Sequence, residues 1–315
     1  MRHFIGIDLG GTNIAAGVVD ETGRLLVKCS RPTGASRPAA DIIADLAAAA
    51  EETRQKAGLS KADIAAIGVG VPGAVDDRTG MVLRTTNLSW KLLPLGDELQ
   101  KRTGLPVFLG NDADCAALGE VLAGSASQFS SAVLLTLGTG VGSGLISDNK
   151  VFSGWTHTGT EGGHIPLVLG GEQCGCGNRG CFEAYASASA LIRQTRADME
   201  SHPESLLWQL AGSLEQVTAK TPFDAAQAGD AAAQAVIDRY ETYLAAGIGG
   251  ITNLLRPEAV ILGGGVSNQG EALLAPVREK MKQYCYASES IAPPVLLKAA
   301  LGNDAGIIGA ALLGR

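Results

Sequence analysis

The feature that most constrains the fold is a strand, glycine turn and strand pattern that occurs twice. Residues 4–20 read FIGIDLGGTNIAAGVVD, and residues 132–148 read AVLLTLGTGVGSGLISD. In each copy, apolar runs flank a glycine cluster, and a short polar turn then leads into a further strand. Similarity between two distant segments indicates an internal duplication. We therefore predict an α/β protein with two related lobes around a cleft.

The rest of the chain alternates further apolar strands with helical segments. An Ala-rich stretch predicts a helix over residues 39–57. Additional strands are predicted at 65–71, 107–110 and 259–262. Residues 199–222 carry no recognisable motif, and we expect helical packing there.

This order of elements predicts how the chain divides into two lobes. The smaller α/β lobe comprises residues 1–110 together with 301–315, and the larger α/β lobe comprises residues 111–300. We expect the larger lobe to carry the cysteine cluster described below and the surface for oligomer formation.

Three predicted strands end in glycine clusters, where backbone N–H groups can reach phosphate oxygens because no Cβ intervenes. One such turn is equally typical of a plain hairpin, but two related turns and a third after a buried strand favour phosphate binding. Asp8, at a strand end, is suited to hold Mg²⁺ directly or through water. The residues predicted to bind the nucleotide are Asp8, Gly10, Gly11, Thr12 and Asn13 in the first turn, Gly138, Thr139 and Gly140 in the second, and Gly264 and Gly265 in the third.

Two common nucleotide-binding motifs do not fit these glycine turns. The chain contains no Gly-Lys pair, which excludes a P-loop. Ser143 stands where a dinucleotide-binding fingerprint starting at Gly138 needs its last glycine.

Phosphoryl transfer to a hydroxyl also needs a base, and Asp112 is the candidate. Asn111 and Asp112 follow a predicted strand directly, where a loop would open into a cleft. Asp112 could accept the proton while Asn111 orients a sugar. Alternatively, Asp112 or Asp114 could cap the helix that begins near Ala113, and for Asp114 we favour the cap or a solvated position.

Three of the six cysteines lie within eight positions of one another, at Cys174, Cys176 and Cys181. With His164 they form the Cys₃His set of a closed, structural Zn²⁺ site, in preference to free thiols in a reduced loop. The metal would orient His164 through one ring nitrogen and leave the other for a sugar hydroxyl. Glu161 and Glu183 flank the cluster and, with His164, form a candidate hydroxyl-binding set.

Charge and hydropathy exclude several other functions. The net charge is -7, and no basic run occurs, so nucleic acid and anionic membranes are not expected partners. No apolar stretch is long enough to span a bilayer, and the N-terminus is unlike a signal peptide. We therefore expect a cytoplasmic protein.

Together these motifs resemble the ROK family of sugar kinases and repressors, in particular its bacterial glucokinases. The resemblance covers almost the whole chain. It is carried by DLGGTN at 8–13, GVPG at 70–73, TNLSW at 86–90, Asn111-Asp112, LGTGVG at 137–142, EGGH at 161–164, CGCGNRGCFE at 174–183, LGGG at 262–265 and GNDAG at 302–306.

The resemblance implies an actin-like ATPase fold (a duplicated ribonuclease H-like fold), with ATP and Mg²⁺ as nucleotide and metal. Asp112 is then the catalytic base, the structural Zn²⁺ is bound by His164 and the three cysteines, and homodimers or homotetramers are common. The repressor members carry a DNA-binding segment before the first strand, for which this chain has no room. The sugar would be bound by Gly73, Asn87, Asn111, Asp112, Glu161, His164 and Glu183.

The implied function is an ATP-dependent hexose kinase, with glucose phosphorylated at O6. N-acetylmannosamine and other hexose kinases of the same family share these sugar contacts and form the first alternative. A non-enzymatic sugar sensor is the second, but the retained base and glycine turns argue against it.

Overall fold

The structure is a computed structural model and describes residues 2–85 and 87–315. Thr86, which belongs to the TNLSW motif, lies outside the described residues. The strands are β1 (His3–Leu9), β2 (Asn13–Asp20), β3 (Leu25–Pro32), β4 (Ile64–Val71), β5 (Gly73–Asp76), β6 (Met81–Thr85), β7 (Lys91–Leu93), β8 (Val107–Asn111), β9 (Ala132–Leu137), β10 (Val141–Ser147), β11 (Lys150–Val151), β12 (Ala259–Gly263) and β13 (Val295–Lys298). The helices are α1 (Ala39–Lys56), α2 (Leu95–Thr103), α3 (Asp112–Ala123), α4 (Glu183–Ala186), α5 (Ala188–Ser201), α6 (Leu206–Ala211), α7 (Thr221–Gln227), α8 (Ala231–Leu255), α9 (Glu271–Met281) and α10 (Ala305–Leu312).

The first sheet has the strand order β3-β2-β1-β4-β8. Strands β1, β2 and β3 form an antiparallel meander, because short turns join them. Strands β4 and β8 add in parallel to β1, so the carboxyl ends of β1, β4 and β8 lie at one edge. Asp8 and Asn111 both lie at this edge, where open α/β sheets bind their ligands.

The second sheet has the order β11-β10-β9-β12-β13, which repeats the order of the first. Again a meander of three strands is followed by strands that continue the sheet, and β13 is parallel to β12. The repeat confirms the duplication predicted from the two glycine hairpins. A third, small sheet holds β5, β6 and β7.

The predicted helix and strands agree with the structure to within one or two residues. The Ala-rich helix runs over Ala39–Lys56, and the strand predicted at 65–71 begins at Ile64. The segment 199–222 contains α6 and the start of α7, which pack around the buried residues Met199, Leu207 and Val217. Among the described residues, no helix is both long enough and apolar enough to cross a membrane.

The chain divides into two compact units. The first contains residues 1–134, 144–160 and 299–315, and the second contains residues 135–143 and 161–298. Residues 111–134, 144–160 and 299–300, which are predicted from the sequence to belong to the larger lobe, lie in the first unit. The functional lobes with boundaries at 110 and 300 stay a prediction.

The last helix, α10, approaches the first sheet more closely than side chains would allow. A Cβ added to Gly6 of β1 would lie 1.8 Å from the carbonyl oxygen of Ile307, and one added to Gly68 of β4 would lie 1.7 Å from that of Ala310. Real Cβ atoms do not approach an oxygen this closely, so glycine is required at both positions. The backbone of α10 therefore rests directly on the backbones of β1 and β4.

The same helix also packs closely against α3. A Cβ on Gly309 would lie 1.6 Å from the carbonyl oxygen of Cys115, and one on Gly119 would lie 2.6 Å from that of Ala305. Because α3 begins at Asp112, the position of this carboxylate depends on how α10 seats α3 against the sheet.

We expect Gly309→Ala to lower the free energy of unfolding by about 3 kcal/mol, because the new methyl group must force α3 and α10 apart. The matched control is Gly250→Ala in α8, where an added Cβ meets nothing within 4 Å. That change should raise the free energy of unfolding by about 0.5–1 kcal/mol through helix propensity. Urea denaturation of both variants measures the two effects, and equal stability of the variants would refute the packing argument.

Candidate functional site

Asn111 fixes the start of α3 at the edge of the first sheet. Its Oδ1 accepts hydrogen bonds from the backbone N–H groups of Ala113 at 2.8 Å and Asp114 at 3.3 Å. Its Nδ2 donates to the carbonyl oxygen of Gly73 at 3.0 Å. Two residues predicted to bind the sugar, Asn111 and Gly73, are therefore in direct contact.

The alternative in which Asp112 or Asp114 caps this helix is wrong, and so is the preference for Asp114 as a cap or solvated residue. Asn111 has the extended backbone of an N-cap residue, whereas Asp112 is the first residue of the helix itself. Asp114 is only 2% exposed, so it is not solvated either. With Asn111 as the cap, Asp112 is left at the helix N-terminus, where the helix dipole favours a negative charge.

Asp8 and Asp112 form an acidic pair in the first unit. Burial, and then the negative charge of Asp112, raise the pKa of Asp8 to about 6. Gly306 lies against this carboxylate, because a Cβ added there would be 2.9 Å from Asp8 Oδ2. Two neighbouring carboxylates are the kind of oxygen donor set that fits Mg²⁺, and a divalent cation would offset their mutual repulsion.

The first glycine turn is tied to the neighbouring strand by Thr33. The Thr33 hydroxyl donates to the carbonyl oxygen of Gly10 at 2.7 Å, and its N–H donates to that of Thr12 at 2.8 Å. Thr12 and Asn13 are exposed at the tip of the turn. Asn87 lies beside this turn, since a Cβ on Gly11 would be 3.0 Å from the Asn87 Cβ. The structure thus groups a predicted sugar-binding residue with the predicted phosphate-binding turn.

The second and third glycine turns meet in the second unit. A Cβ on Gly264 would lie 2.6 Å from the carbonyl oxygen of Leu137, at the base of the second turn. At Gly138 and Gly265 an added Cβ would meet nothing within 4 Å, so both are next to open space. Thr139 is exposed at the tip of the second turn. Such open, adjacent backbone is what phosphate oxygens need for a close approach.

Glu183, the first residue of α4, joins the second glycine turn to the cysteine cluster. Its Oε2 accepts a hydrogen bond from the N–H of Val141 at 3.0 Å, and a Cβ on Gly140 would lie 2.1 Å from the same oxygen. Its Oε1 lies 3.4 Å from Cys174 Sγ. The predicted contact of Glu183 with a sugar stays a prediction, but these contacts give its carboxylate a positioning role as well.

His164 and the three cysteines come together as the sequence predicts. Their ligand atoms all lie within 4.8 Å of one another. Cys174 Sγ is 3.6 Å from His164 Nδ1, and Cys176 Sγ is 3.7 Å from Cys181 Sγ. A tetrahedral zinc with Zn–S of about 2.3 Å and Zn–N of about 2.05 Å has ligand edges of roughly 3.6–3.8 Å. The donor set and its spacing therefore fit Zn²⁺.

The backbone of the knuckle places these ligands. The N–H of Cys174 donates to the carbonyl oxygen of Asn178 at 2.9 Å, and Gly177 and Gly180 take the positive φ angles of 97° and 82°. The ring of His164 turns Nδ1 towards the cysteines, and its Nε2 lies 3.9 Å from Glu161 Oε2. This leaves Nε2 and the Glu161 carboxylate on the side away from the metal ligands, as the predicted sugar contact requires.

Several contributing residues gave no signal in the sequence analysis. Ser143 accepts a hydrogen bond from the N–H of Gly162 at 2.7 Å and so anchors the EGGH turn to β10. Thr33 and Gly306 support the first glycine turn and Asp8, as described above. Gly306 lies in the GNDAG motif, which was noted without a role, whereas isolated Ser and Thr residues carry no pattern that marks them.

A fold with this repeated sheet order, glycine turns at the strand ends and a carboxylate at the helix start is an actin-like ATPase fold. The family model described as "ROK family" matches residues 4–315, and the chain belongs to the ROK family.

Individual relatives agree with this assignment. The chain is 40% identical to a glucokinase of Thermotoga maritima over 314 residues, which cover 98% of this chain and 96% of that one. It is similar to the crystal structure of a ROK family glucokinase from Streptomyces griseus in complex with glucose and AMPPNP, with 38% identity, a TM-score of 0.81, and coverage of 99% and 98%. A ROK family transcriptional regulator, described as a homolog of the E. coli MLC protein, gives 30% identity and a TM-score of 0.84, with coverage of 99% of this chain and 78% of the regulator.

We expect purified protein to contain about one zinc per chain by elemental analysis. Cys176→Ser should reduce the bound zinc below stoichiometric amounts and lower the melting temperature by several degrees, because Cys176 is exposed and contributes mainly its thiolate. Cys29→Ser, outside the cluster, is the control and should keep the metal. A zinc-free wild-type protein whose melting temperature does not respond to added zinc would exclude the site.

Proposed function

We propose that the protein is an ATP-dependent hexose kinase that transfers the γ-phosphate of ATP to O6 of glucose. The observation that carries the proposal is Asp112, which the Asn111 cap holds at the start of α3 beside Asp8. A carboxylate in this position can serve as the base for a hydroxyl, and the neighbouring carboxylate can serve the metal. Relatives that are named glucokinase, one with glucose and an ATP analogue bound, support glucose and ATP as substrates.

In this mechanism, Asp112 accepts the proton of the sugar O6 hydroxyl while O6 attacks the γ-phosphorus. The new O–P bond forms, the bond from the γ-phosphorus to the bridging oxygen breaks, and ADP leaves with that electron pair. Asp112 then releases its proton to solvent. Asp8 would hold Mg²⁺, which would supply neutralisation of phosphate charge.

The remaining contacts are assigned by chemistry. We assign the phosphates of ATP to the open glycine turns and the sugar hydroxyls to polar side chains and to Gly73. Zn²⁺ would hold the knuckle and the His164 ring in place, without contacting the reacting atoms. The sugar ligands proposed are Gly73, Asn87, Asn111 and Asp112 in the first unit and Glu161, His164 and Glu183 in the second. The nucleotide ligands proposed are Asp8, Gly10, Gly11, Thr12, Asn13, Gly138, Thr139, Gly140, Gly264 and Gly265.

A coupled ADP-release assay over glucose, mannose, N-acetylmannosamine, N-acetylglucosamine, allose and fructose tests the reaction and the preferred sugar. We expect turnover with glucose, and a roughly 100-fold or larger loss of kcat in Asp112→Asn with sugar binding retained. Asp97→Asn, an exposed carboxylate of α2, is the control and should keep full activity. Near-normal turnover by Asp112→Asn would overturn the base assignment.

A sugar-responsive regulator is the second candidate, because the chain also resembles a ROK family transcriptional regulator. The two candidates differ in one measurement. A kinase releases ADP when sugar is added, whereas a sensor binds the sugar without ADP release. If the protein prefers N-acetylmannosamine in the same assay, the proposed substrate changes from glucose to N-acetylmannosamine, and the proposed phosphoryl transfer stands.

We also propose that the protein acts as a homodimer or homotetramer in the cytoplasm. The proposal rests on the family resemblance. Sedimentation equilibrium at micromolar concentration should give two or four times the chain mass of 32.2 kDa. A single species of monomer mass would refute it.

A further inference from the structure

A closed surface loop follows β11 in the first unit. The loop comprises residues 153–159 and is called the 153–159 loop below. The N–H of Gly159 donates to the carbonyl oxygen of Ser153 at 3.1 Å, and that of His157 donates to the carbonyl oxygen of Gly154 at 3.3 Å. These bonds bring the two ends of the loop together, so the loop projects as a compact unit.

Asp77, which lies outside the 153–159 loop in sequence, contacts His157 within it. Its Oδ1 lies 3.0 Å from His157 Nδ1, and its N–H donates to the carbonyl oxygen of His157 at 3.3 Å. His157 has a φ of +55°, a left-handed conformation that costs a residue with a side chain roughly 1–2 kcal/mol. The two bonds from Asp77 offset this cost and fix the position of the loop.

The base of the loop lies at the proposed catalytic residue. A Cβ added to Gly159 would be 2.5 Å from Asp114 Oδ2 and 3.5 Å from the Cβ of Asn111. The loop therefore rests on the residues on both sides of Asp112. Gly159 has a φ of +88°, which further restricts this position to glycine.

Trp155 projects from the same loop, and its side chain is 94% exposed. The other two tryptophans have partners, since Trp90 is 5% exposed and the Nε1 of Trp208 donates to the carbonyl oxygen of Met199. Trp155 is four residues from Gly159, and three to four residues of chain span at most about 10–14 Å. Trp155 therefore lies within about 14 Å of Gly159, which itself lies against Asp114 and Asn111.

We propose that Trp155 is a substrate-binding residue whose indole packs on the apolar C–H face of the hexose, and that Asp77 and His157 are positioning residues for it. The proposal rests on the proposed kinase function. Hexoses present polar hydroxyl edges and an apolar ring face, and an indole offers a large, rigid surface with a negative face for such C–H groups. Specific sugar contacts then come from the polar residues, while Trp155 contributes affinity for the ring.

The first test compares Trp155→Ala, Trp155→Phe and wild type in the ADP-release assay. We expect Trp155→Ala to raise the KM for the hexose about tenfold, with kcat and the KM for ATP little changed. Trp155→Phe should keep most of the affinity, and the melting temperature should not change because the side chain is exposed. The control is Tyr286→Ala, an aromatic residue that is 71% exposed in the second unit.

The second test addresses the positioning residues. Asp77→Ala should raise the hexose KM without changing the ATP KM, whereas Asp77→Asn keeps a side-chain oxygen for His157 and should restore the wild-type value. A loss of stability alone would lower the amount of active enzyme, and therefore the apparent kcat, but it would leave the KM for the hexose unchanged.

A binding measurement separates failure of this proposal from failure of the kinase assignment. Hexose titration should change tryptophan emission in wild type, and the change should be much smaller in Trp155→Phe, whether or not turnover occurs; an equal change in the two proteins would overturn the proposal. If the protein turns over a hexose but Trp155→Ala keeps the wild-type KM, the proposal is overturned and the kinase stands. A changed oligomer mass with unchanged KM would assign Trp155 to an interface between copies, and would also overturn it.

Discussion

The backbone contact between α10 and the first sheet is the constraint on which the proposed catalytic residues depend. Gly6 and Gly68 let α10 rest on β1 and β4, and Gly309 lets α3 rest on α10. A methyl group at any of these positions would occupy the space of a carbonyl oxygen, so the arrangement leaves little freedom for sliding or tilting. Because β1 ends near Asp8 and α3 starts with Asp112, these contacts set the distance between the two carboxylates.

The same contacts account for the electrostatics of the acidic pair. Asp8 lies on a buried strand, under Gly306 at the beginning of α10, so it has little water around it. Asp112 lies at a helix N-terminus, where its negative charge is favoured. Because Asn111 caps the helix, the Asp112 carboxylate is not needed as the cap. Two residues of the same type thus acquire different properties from their positions. Asp8 is suited to hold a cation, and Asp112 is suited to accept a proton.

The sequence was sufficient for the parts of the structure that local patterns encode. The two glycine hairpins predicted the repeated sheet order, and the short spacing of Cys174, Cys176 and Cys181 predicted their cluster with His164. It was insufficient where distant segments meet. The sequence around Gly6 and Gly68 does not indicate that a helix near the C-terminal end of the chain packs on these two glycines. The sequence left the helix cap open because Asn111, Asp112 and Asp114 all have cap-forming side chains, and only the backbone angles distinguish them. The 153–159 loop carries no motif, because its position depends on Asp77 from another part of the chain.

The carboxylate of Glu183 contacts both the cysteine cluster and the second glycine turn. One oxygen lies beside Cys174 and the other accepts the Val141 N–H, so a single side chain connects a proposed zinc ligand to the turn proposed to receive phosphates. The order of the cysteine cluster and the order of the second glycine turn are therefore linked through one side chain, although the two segments are more than thirty residues apart in sequence.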